Sequence, residues 1–192
     1  MKKRVLVILG HPSNDSLCAT LAQSYIQGAQ KAGHEVRYIS VGKLRFDPLL
    51  HNGYETIQPL EPDLVQVQQD MAWAQHMVWV YPIWWGAMPA LLKGLIDRTF
   101  LPGFAFKFHP GQLMAAQLLS GRSAHLLVTM DTPPWYNRWV YRQPGHQQMK
   151  RLILEFCGIK PVAVSSFGPV KGSTGQQRAQ WLARAHEHGA NA

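Results

Sequence analysis

Three short runs are apolar at nearly every position: Arg4 to Leu9, His76 to Tyr81 and Ala124 to Met130. A strand with one wet face alternates polar with apolar, so continuous apolar runs predict strands buried on both faces, as in a parallel sheet covered by helices. Two more strand-like runs, Glu35 to Ser40 and Val162 to Ser166, complete a set of five. Between them lie helical patterns. Ser16 to Ala32 carries Leu17, Leu21, Ala22, Tyr25, Ile26 and Ala29 on one stripe and ends at Gly33 as a C-cap. Asp63 to Ala74 has Leu64, Val67 and Met71 as its seam, with Asp63 in position to cap it. The remaining helices are expected over Met88 to Phe100, with Pro89 in the first turn, Gln147 to Phe156, and Thr174 to His188.

Alternation of this kind specifies an α/β fold. Right-handed crossovers leave few topologies, and a doubly wound five-stranded parallel sheet in the order 2-1-3-4-5 fits best. The 192 residues make a single domain, 1–192. Two irregular inserts, Leu44 to Pro62 and Leu101 to Arg122, are long enough to carry function or contacts.

Several function classes are disfavoured by composition. The opening MKKRVLVILGHP has the charged start of a signal peptide, but its apolar run stops at Gly10, so it reads as a first strand in a cytoplasmic protein. No apolar run approaches the ~20 residues a membrane span needs. Cys18 and Cys157 are the only cysteines and stand in no metal-binding pattern, so no metal site and two reduced thiols are expected. The net charge of +8 is scattered and accompanied by no nucleic-acid recognition motif, so nucleic acid is not the expected partner. A phosphate-bearing cofactor or an acidic membrane surface suits that charge equally well.

The chemistry is expected at the strand ends. The loop GHPSNDS, Gly10 to Ser16, joins the first strand to the first helix, where free N–H groups and the helix dipole favour a phosphate. His11 and Ser16 are candidate donors. Simple capping by Ser13, Asp15 or Ser16 explains the same residues equally well. The loop lacks the GKS or GKT of a Walker loop and the GxGxxG of a dinucleotide fold. After the third strand comes YPIWWGAMPALLKGLIDRTF, Tyr81 to Phe100, in which two tryptophans precede a helix. Consecutive residues of an extended segment point to opposite sides, so Trp84 and Trp85 do not both enter one core. Lys93 and Asp97, four apart on the third helix, are expected to form a solvated ion pair, a ligand contact of Asp97 being the other reading.

The pairing of GHPxxxS with YPIWWGAMPALLKGLIDRTF resembles the flavodoxin-like NAD(P)H:quinone oxidoreductases, a family that includes the ancillary oxidoreductases of potassium-efflux systems. The resemblance runs from Lys3 through Gly158. It implies a noncovalent flavin, a homodimer, and hydride transfer from NAD(P)H through the flavin to a quinone or similar small electrophile. It further implies that Pro82, Ile83, Trp84, Trp85 and Gly86 line the isoalloxazine, and that His11, Ser16, Leu17 and Cys18 hold its phosphate-bearing tail. A flat apolar wall and nearby backbone N–H groups are what such a ring needs in its reduced, negative state.

After the fourth strand the chain departs from the family, with TMDTPPWYNRWVY, Thr129 to Tyr141, in place of a TTGG-type loop. Thr129, Met130 and Asp131 still fall where they would touch the flavin. Tyr136 and His146 are candidates, by residue type, for a proton donor to the acceptor; a surface helix-start position is the other reading of His146. Trp135, Tyr136, Trp139 and Tyr141, with Arg138 and Arg142 between them, form either a roof over the substrate pocket or a dimer contact. Phe106 and Phe108 are candidates for the substrate pocket, lent across the dimer, or for plain packing. FMN is favoured over FAD by the absence of the long C-terminal extension of FAD-binding relatives. NADH and NADPH stay equally open. Two other roles stay open: an electron-carrier flavodoxin, which turnover with a quinone would exclude, and a regulatory flavoprotein subunit touching a membrane transporter, which can coexist with the enzyme and is tested by co-purification with a channel.

Overall fold

The computed structural model describes residues 2–112 and 114–192. Five parallel strands, β1 (Arg4–Leu9), β2 (Glu35–Ser40), β3 (His76–Pro82), β6 (Ser123–Thr129) and β7 (Val162–Phe167), form one sheet in the order β2-β1-β3-β6-β7. Counting only the strands of this sheet, that is the expected 2-1-3-4-5. The register brings Val5 opposite both Val36 and His76, and Tyr81 opposite Val128, so the three central strands end nearly level.

Each central strand is divided between two cores. Leu6, Ile8, Met77, Trp79, Leu126 and Val128 face α2 (Pro62–Trp73) and α3 (Ala90–Thr99). Val5, Val7, Leu9, Val78, Val80 and Leu127 face α1 (Leu17–Lys31) and α6 (Gly175–Ala190). This double burial is why the strands read as unbroken apolar runs. Among the described residues no helix is long and apolar enough to cross a membrane.

Local signals were met in some places and displaced in others. Gly33 follows the C-cap of α1 at φ +83°, the left-handed conformation that ends helices. Asp63 does not cap α2: the N-cap is Glu61 with Pro62 at the first helical position, and Asp63 instead accepts the Arg45 N–H at 2.7 Å. Pro89 is likewise the N-cap of α3 rather than part of its first turn. Lys93 and Asp97 pair at 2.7 Å.

Both inserts acquire order from tertiary contacts. Residues 44–62 are fastened to α3 by Arg98, whose buried guanidinium donates to the Pro59 carbonyl and to Glu61 Oε2, both at 2.9 Å, and to the Asp47 carbonyl. The second insert contains a two-stranded antiparallel ribbon, β4 (Phe106–Lys107) with β5 (Ala116–Gln117). The segment after β6, expected to begin as a loop and to become helical at Gln147, is already largely helical from Pro134. It runs through α4 (Pro134–Trp139) and α5 (Pro144–Gln147) into a π-helical turn, Gln148–Glu155. The prolines do not stop these helices because they stand at first-turn positions, where no N–H is needed.

Candidate active site

The loops after β1, β3 and β6 open on the carboxyl edge of the sheet, where β1 and β3 diverge to opposite neighbours. An open α/β sheet binds ligands at such a switch point. Here the loops enclose a crevice of about 200 Å³ lined by His11, Ser16, Leu17, Cys18, Pro82, Ile83, Trp84, Thr129, Met130 and Asp131. Ile83, Met130 and Asp131 also border an adjoining space of about 520 Å³, whose far wall includes Trp85, Gly86, Asn137 and Tyr141. Together these spaces gather all twelve residues expected to hold the cofactor.

At the first loop both readings of the sequence are satisfied together. Ser16 is the N-cap of α1, its Oγ accepting the Ala19 N–H at 3.2 Å. Capping occupies that oxygen, yet the N–H groups of Leu17 and Cys18 have no protein acceptor among the described residues and lie at the positive end of the helix dipole. His11 Nδ1 lies 2.9 Å from both the backbone nitrogen and the carbonyl oxygen of Ser13, so the loop itself fixes the orientation of the ring. The ring of His11 meets Trp84 edge-on, with centroids 5.5 Å apart.

The second loop turns within four residues. Trp84 and Ala87 exchange N–H···O bonds of 2.9 and 3.0 Å, with Trp85 at φ +51° and Gly86 at φ +79° between them. Two consecutive positive φ values are the mark of a type I′ turn, which glycine and asparagine adopt readily and tryptophan does not. Holding Trp85 there costs on the order of 1 kcal/mol. The strain leaves the Trp85 indole 104% exposed, with the N–H groups of Trp85 and Gly86 unused by other described residues.

The third loop is tied to the first, since Cys18 Sγ lies 3.2 Å from Thr129 Oγ1. Burial pushes the Cys18 thiol up to about 11, so it is a neutral packing group and not a nucleophile. Asp131 accepts the Lys171 N–H at 2.7 Å, which anchors the loop.

The other candidates fall outside this crevice. His146 is not a surface residue: it is 3% exposed, and its Nε2 lies 3.0 Å from Ser166 Oγ. Burial lowers its pKa, so the ring stays neutral. It lines a separate cavity of about 680 Å³ between α4, the π-helical turn and the edge strand β7. Trp135 and Arg138 line that cavity as well. Tyr136 packs edge-on between Trp135 and Tyr141 and borders neither part of the crevice. The reason lies in α4, whose helical turn sends Trp135 and Arg138 to one side and Asn137 to the other. Phe106 and Phe108 pack edge-to-face at 5.7 Å on the β4–β5 ribbon, where Phe106 also meets Phe156 at 5.4 Å. Within one protomer they do not border the crevice. Tyr141, one of the aromatics expected either to roof the substrate pocket or to form a dimer contact, does border this space, whereas Asn137 and Val170 are wall residues that the sequence did not single out, the helix that orients Asn137 being itself unexpected.

A doubly wound sheet whose switch-point loops form an open aromatic crevice defines a flavodoxin-like α/β protein. The chain belongs to the protein family described as having a flavodoxin-like fold, whose sequence model matches residues 3–189. It is an oxidoreductase, as its curated relatives are. It is 28% identical to an uncharacterized NAD(P)H oxidoreductase of Haemophilus influenzae, over 86% of this chain and 83% of that one. It is 24% identical to the rat ribosyldihydronicotinamide dehydrogenase [quinone], over 95% and 90% respectively. The match spans less than half, 46%, of another rat relative, NAD(P)H dehydrogenase [quinone] 1. Among solved structures, an NAD(P)H:quinone oxidoreductase from Methanothermobacter marburgensis superposes with a TM-score of 0.82 at 22% identity, covering 100% of this chain and 97% of that one. An FMN-dependent NADH-azoreductase from Bacillus anthracis superposes at 0.77 with 16% identity, over 100% and 98%. At these identities the two structures share the fold.

Proposed function

We propose that this protein is an FMN-dependent NAD(P)H oxidoreductase that reduces quinones or similar small electrophiles. The observation that carries this reading is the pairing of an unused set of N–H groups at the start of α1 with the strained turn that leaves Trp85 and its N–H uncommitted. The first suits an anionic phosphate tail and the second the polar edge of a planar ring. A bound flavin would supply reversible two-electron acceptance, taking hydride from one substrate and passing it to the next.

The protein's part is positional. His11 and the N–H groups of Leu17 and Cys18 would hold the phosphate end. Trp84, Ile83 and Pro82 would wall the ring, and the N–H groups of Trp85 and Gly86 would offset negative charge at its edge. The 520 Å³ space beside the ring position is large enough to seat nicotinamide and acceptor in turn. Holding reacting atoms at ~3 to 3.5 Å there is the main source of rate. In this reading Tyr141, which borders that space, is a better candidate than Tyr136 for hydrogen bonding to the acceptor. The same open space favours an enzyme over a simple electron carrier.

A homodimer is part of the proposal. Phe108, Leu152 and Phe156 are exposed around an apolar recess near Lys93 and Asp97, and a second copy covering them would explain Phe106 and Phe108 as residues lent across an interface. The test is to purify the protein, add FMN or FAD in excess, remove unbound flavin, and record the visible spectrum. NAD(P)H oxidation is then followed with a benzoquinone and with an azo dye. A colourless protein after reconstitution would refute the assignment, whereas turnover with only the azo dye would correct the acceptor.

A further inference from the structure

The 680 Å³ cavity beyond α4 is not part of the crevice, and its lining has a chemistry of its own. Its volume is in the usual range for small-molecule sites, roughly 300 to 1,000 Å³. Trp135 and Trp139 stand at its mouth with 63% and 72% of their surfaces exposed, an unusual position for two indoles one helical turn apart. Arg138 on the same helix and Lys150 and Arg151 on the next contribute three positive charges, and no carboxylate lines the cavity. Among the described residues neither arginine has an ion-pair partner, and Lys150 has only Glu155 at 3.9 Å.

A third observation concerns Gln147. It lines the cavity, and its Oε1 is buried with no hydrogen-bond partner. A buried acceptor left unpaired costs about 1 to 3 kcal/mol, so such an atom marks where a donor is missing. The surrounding backbone is irregular in the same place: Arg142 and Gln143 have φ values of +58° and +56°, and the π-helical turn begins at Gln148. π-helical turns and left-handed non-glycine residues concentrate at functional sites.

We infer that this cavity binds a purine nucleotide, with the ring against Trp135 and Trp139, an exocyclic or ring N–H donated to Gln147 Oε1, and the phosphate among Arg138, Lys150 and Arg151. A bare phosphate leaves the indoles and Gln147 without a role, and an uncharged aromatic leaves the three cations without one. Two sources share this chemistry: a free purine mononucleotide, and the adenosine phosphate half of a nicotinamide dinucleotide. The site stands whether or not the crevice holds a flavin.

Tryptophan emission of the purified protein, titrated with AMP, adenosine and inorganic phosphate, tests it. AMP is expected to bind saturably with Kd below about 1 mM, at least tenfold tighter than adenosine or phosphate. The R138E/R151E double variant is expected to lose AMP binding tenfold or more while retaining its circular dichroism, since both side chains are exposed. Gln147→Leu, which keeps every charge, is expected to weaken AMP but not phosphate. AMP binding no better than phosphate, or unchanged in the double variant, overturns the inference. The source follows from NADPH kinetics: AMP that competes with NADPH assigns the dinucleotide half, and AMP that leaves its KM unchanged assigns a free nucleotide. FMN titration of the double variant, read by visible absorbance, keeps this result separate from the flavin assignment.

Discussion

A Cβ placed on Gly145 would lie 2.6 Å from the Gly86 carbonyl oxygen and 2.8 Å from Ile83 Cδ1, so the start of α5 presses directly on the turn that holds Trp85. The contact explains how a four-residue turn with an unfavourable backbone is kept in one shape. Gly145→Ala should push the turn away. Overpacking of this sort typically destabilises by about 1 to 3 kcal/mol. FMN affinity, measured by titration, should fall at least tenfold while far-ultraviolet circular dichroism is retained; unchanged affinity would mean the turn is held by something else.

Trp85 offers a cleaner separation of fold from function. Gly at position 85 relieves the positive-φ strain and should stabilise the fold by up to about 1 kcal/mol. Trp85→Gly is therefore expected to raise the urea midpoint slightly and to weaken flavin retention. Trp85→Ala should weaken retention more than Trp135→Ala, because Trp135 borders the other cavity. The reverse order would move the ring wall from the β3 loop to α4.

A layer of histidines predicts acid sensitivity. His125 Nε2 lies 3.0 Å from Ser165 Oγ, which lies 3.0 Å from His188 Nε2, and His76 is held between Tyr25 and Ser123. Burial lowers His125 to about 3, helped by neighbouring His188, His76 and Arg184, and lowers His76 to about 4, helped by Lys3 and His34. Both rings are thus neutral when folded, whereas in the unfolded chain they take up protons near pH 6.5. Stability is complete above about pH 6.5 and is lost as pH falls from there toward 4 and 3, at about 1.4 kcal/mol per pH unit for each ring. Urea midpoints should be level between pH 7 and 8 and fall between pH 6 and 5. His125→Gln should flatten that slope, and equal midpoints at pH 7.5 and 5 in the parent would contradict the argument.

Arg98 is the fourth test. Its guanidinium is 1% exposed and serves the Asp47 and Pro59 carbonyls and Glu61 at once. Arg98→Ala leaves these acceptors without their shared donor and should destabilise by about 3 kcal/mol. Proteolysis within residues 44–62 should accelerate, since that insert has little regular structure of its own. A loss below ~1 kcal/mol would show that the insert is held chiefly by apolar contacts.

How far the chain could be read from its residues follows from the range of the forces involved. The five strands and the helices α1, α2, α3 and α6 were legible because their burial pattern is written in local periodicity, and the β1 and β3 loops because their residue types are unusual where they stand. The helix expected over Gln147 to Phe156 is present as the π-helical stretch Gln148–Glu155, but the segment 133–146 before it was not legible in the same way. Its prolines and aromatics suggest a stiff loop, yet neighbouring elements supply α4 and α5 with a packed face, and that rotation decides which side each residue serves. Hence His146, a surface residue by its local signal, is buried against Ser166, and Trp135 turns away from the crevice.

From the sequence alone came the doubly wound sheet and its strand order, because apolar periodicity is a property of short stretches of chain, and the twelve residues that gather at its switch point came from the loop motifs through the family they resemble. Only the tertiary structure decided the left-handed turn that presents Trp85, the separation of the α4 aromatics and arginines into a cavity of their own, and the neutral state of the buried histidines. Each of these depends on contacts between residues far apart in the chain, and no local pattern encodes such contacts.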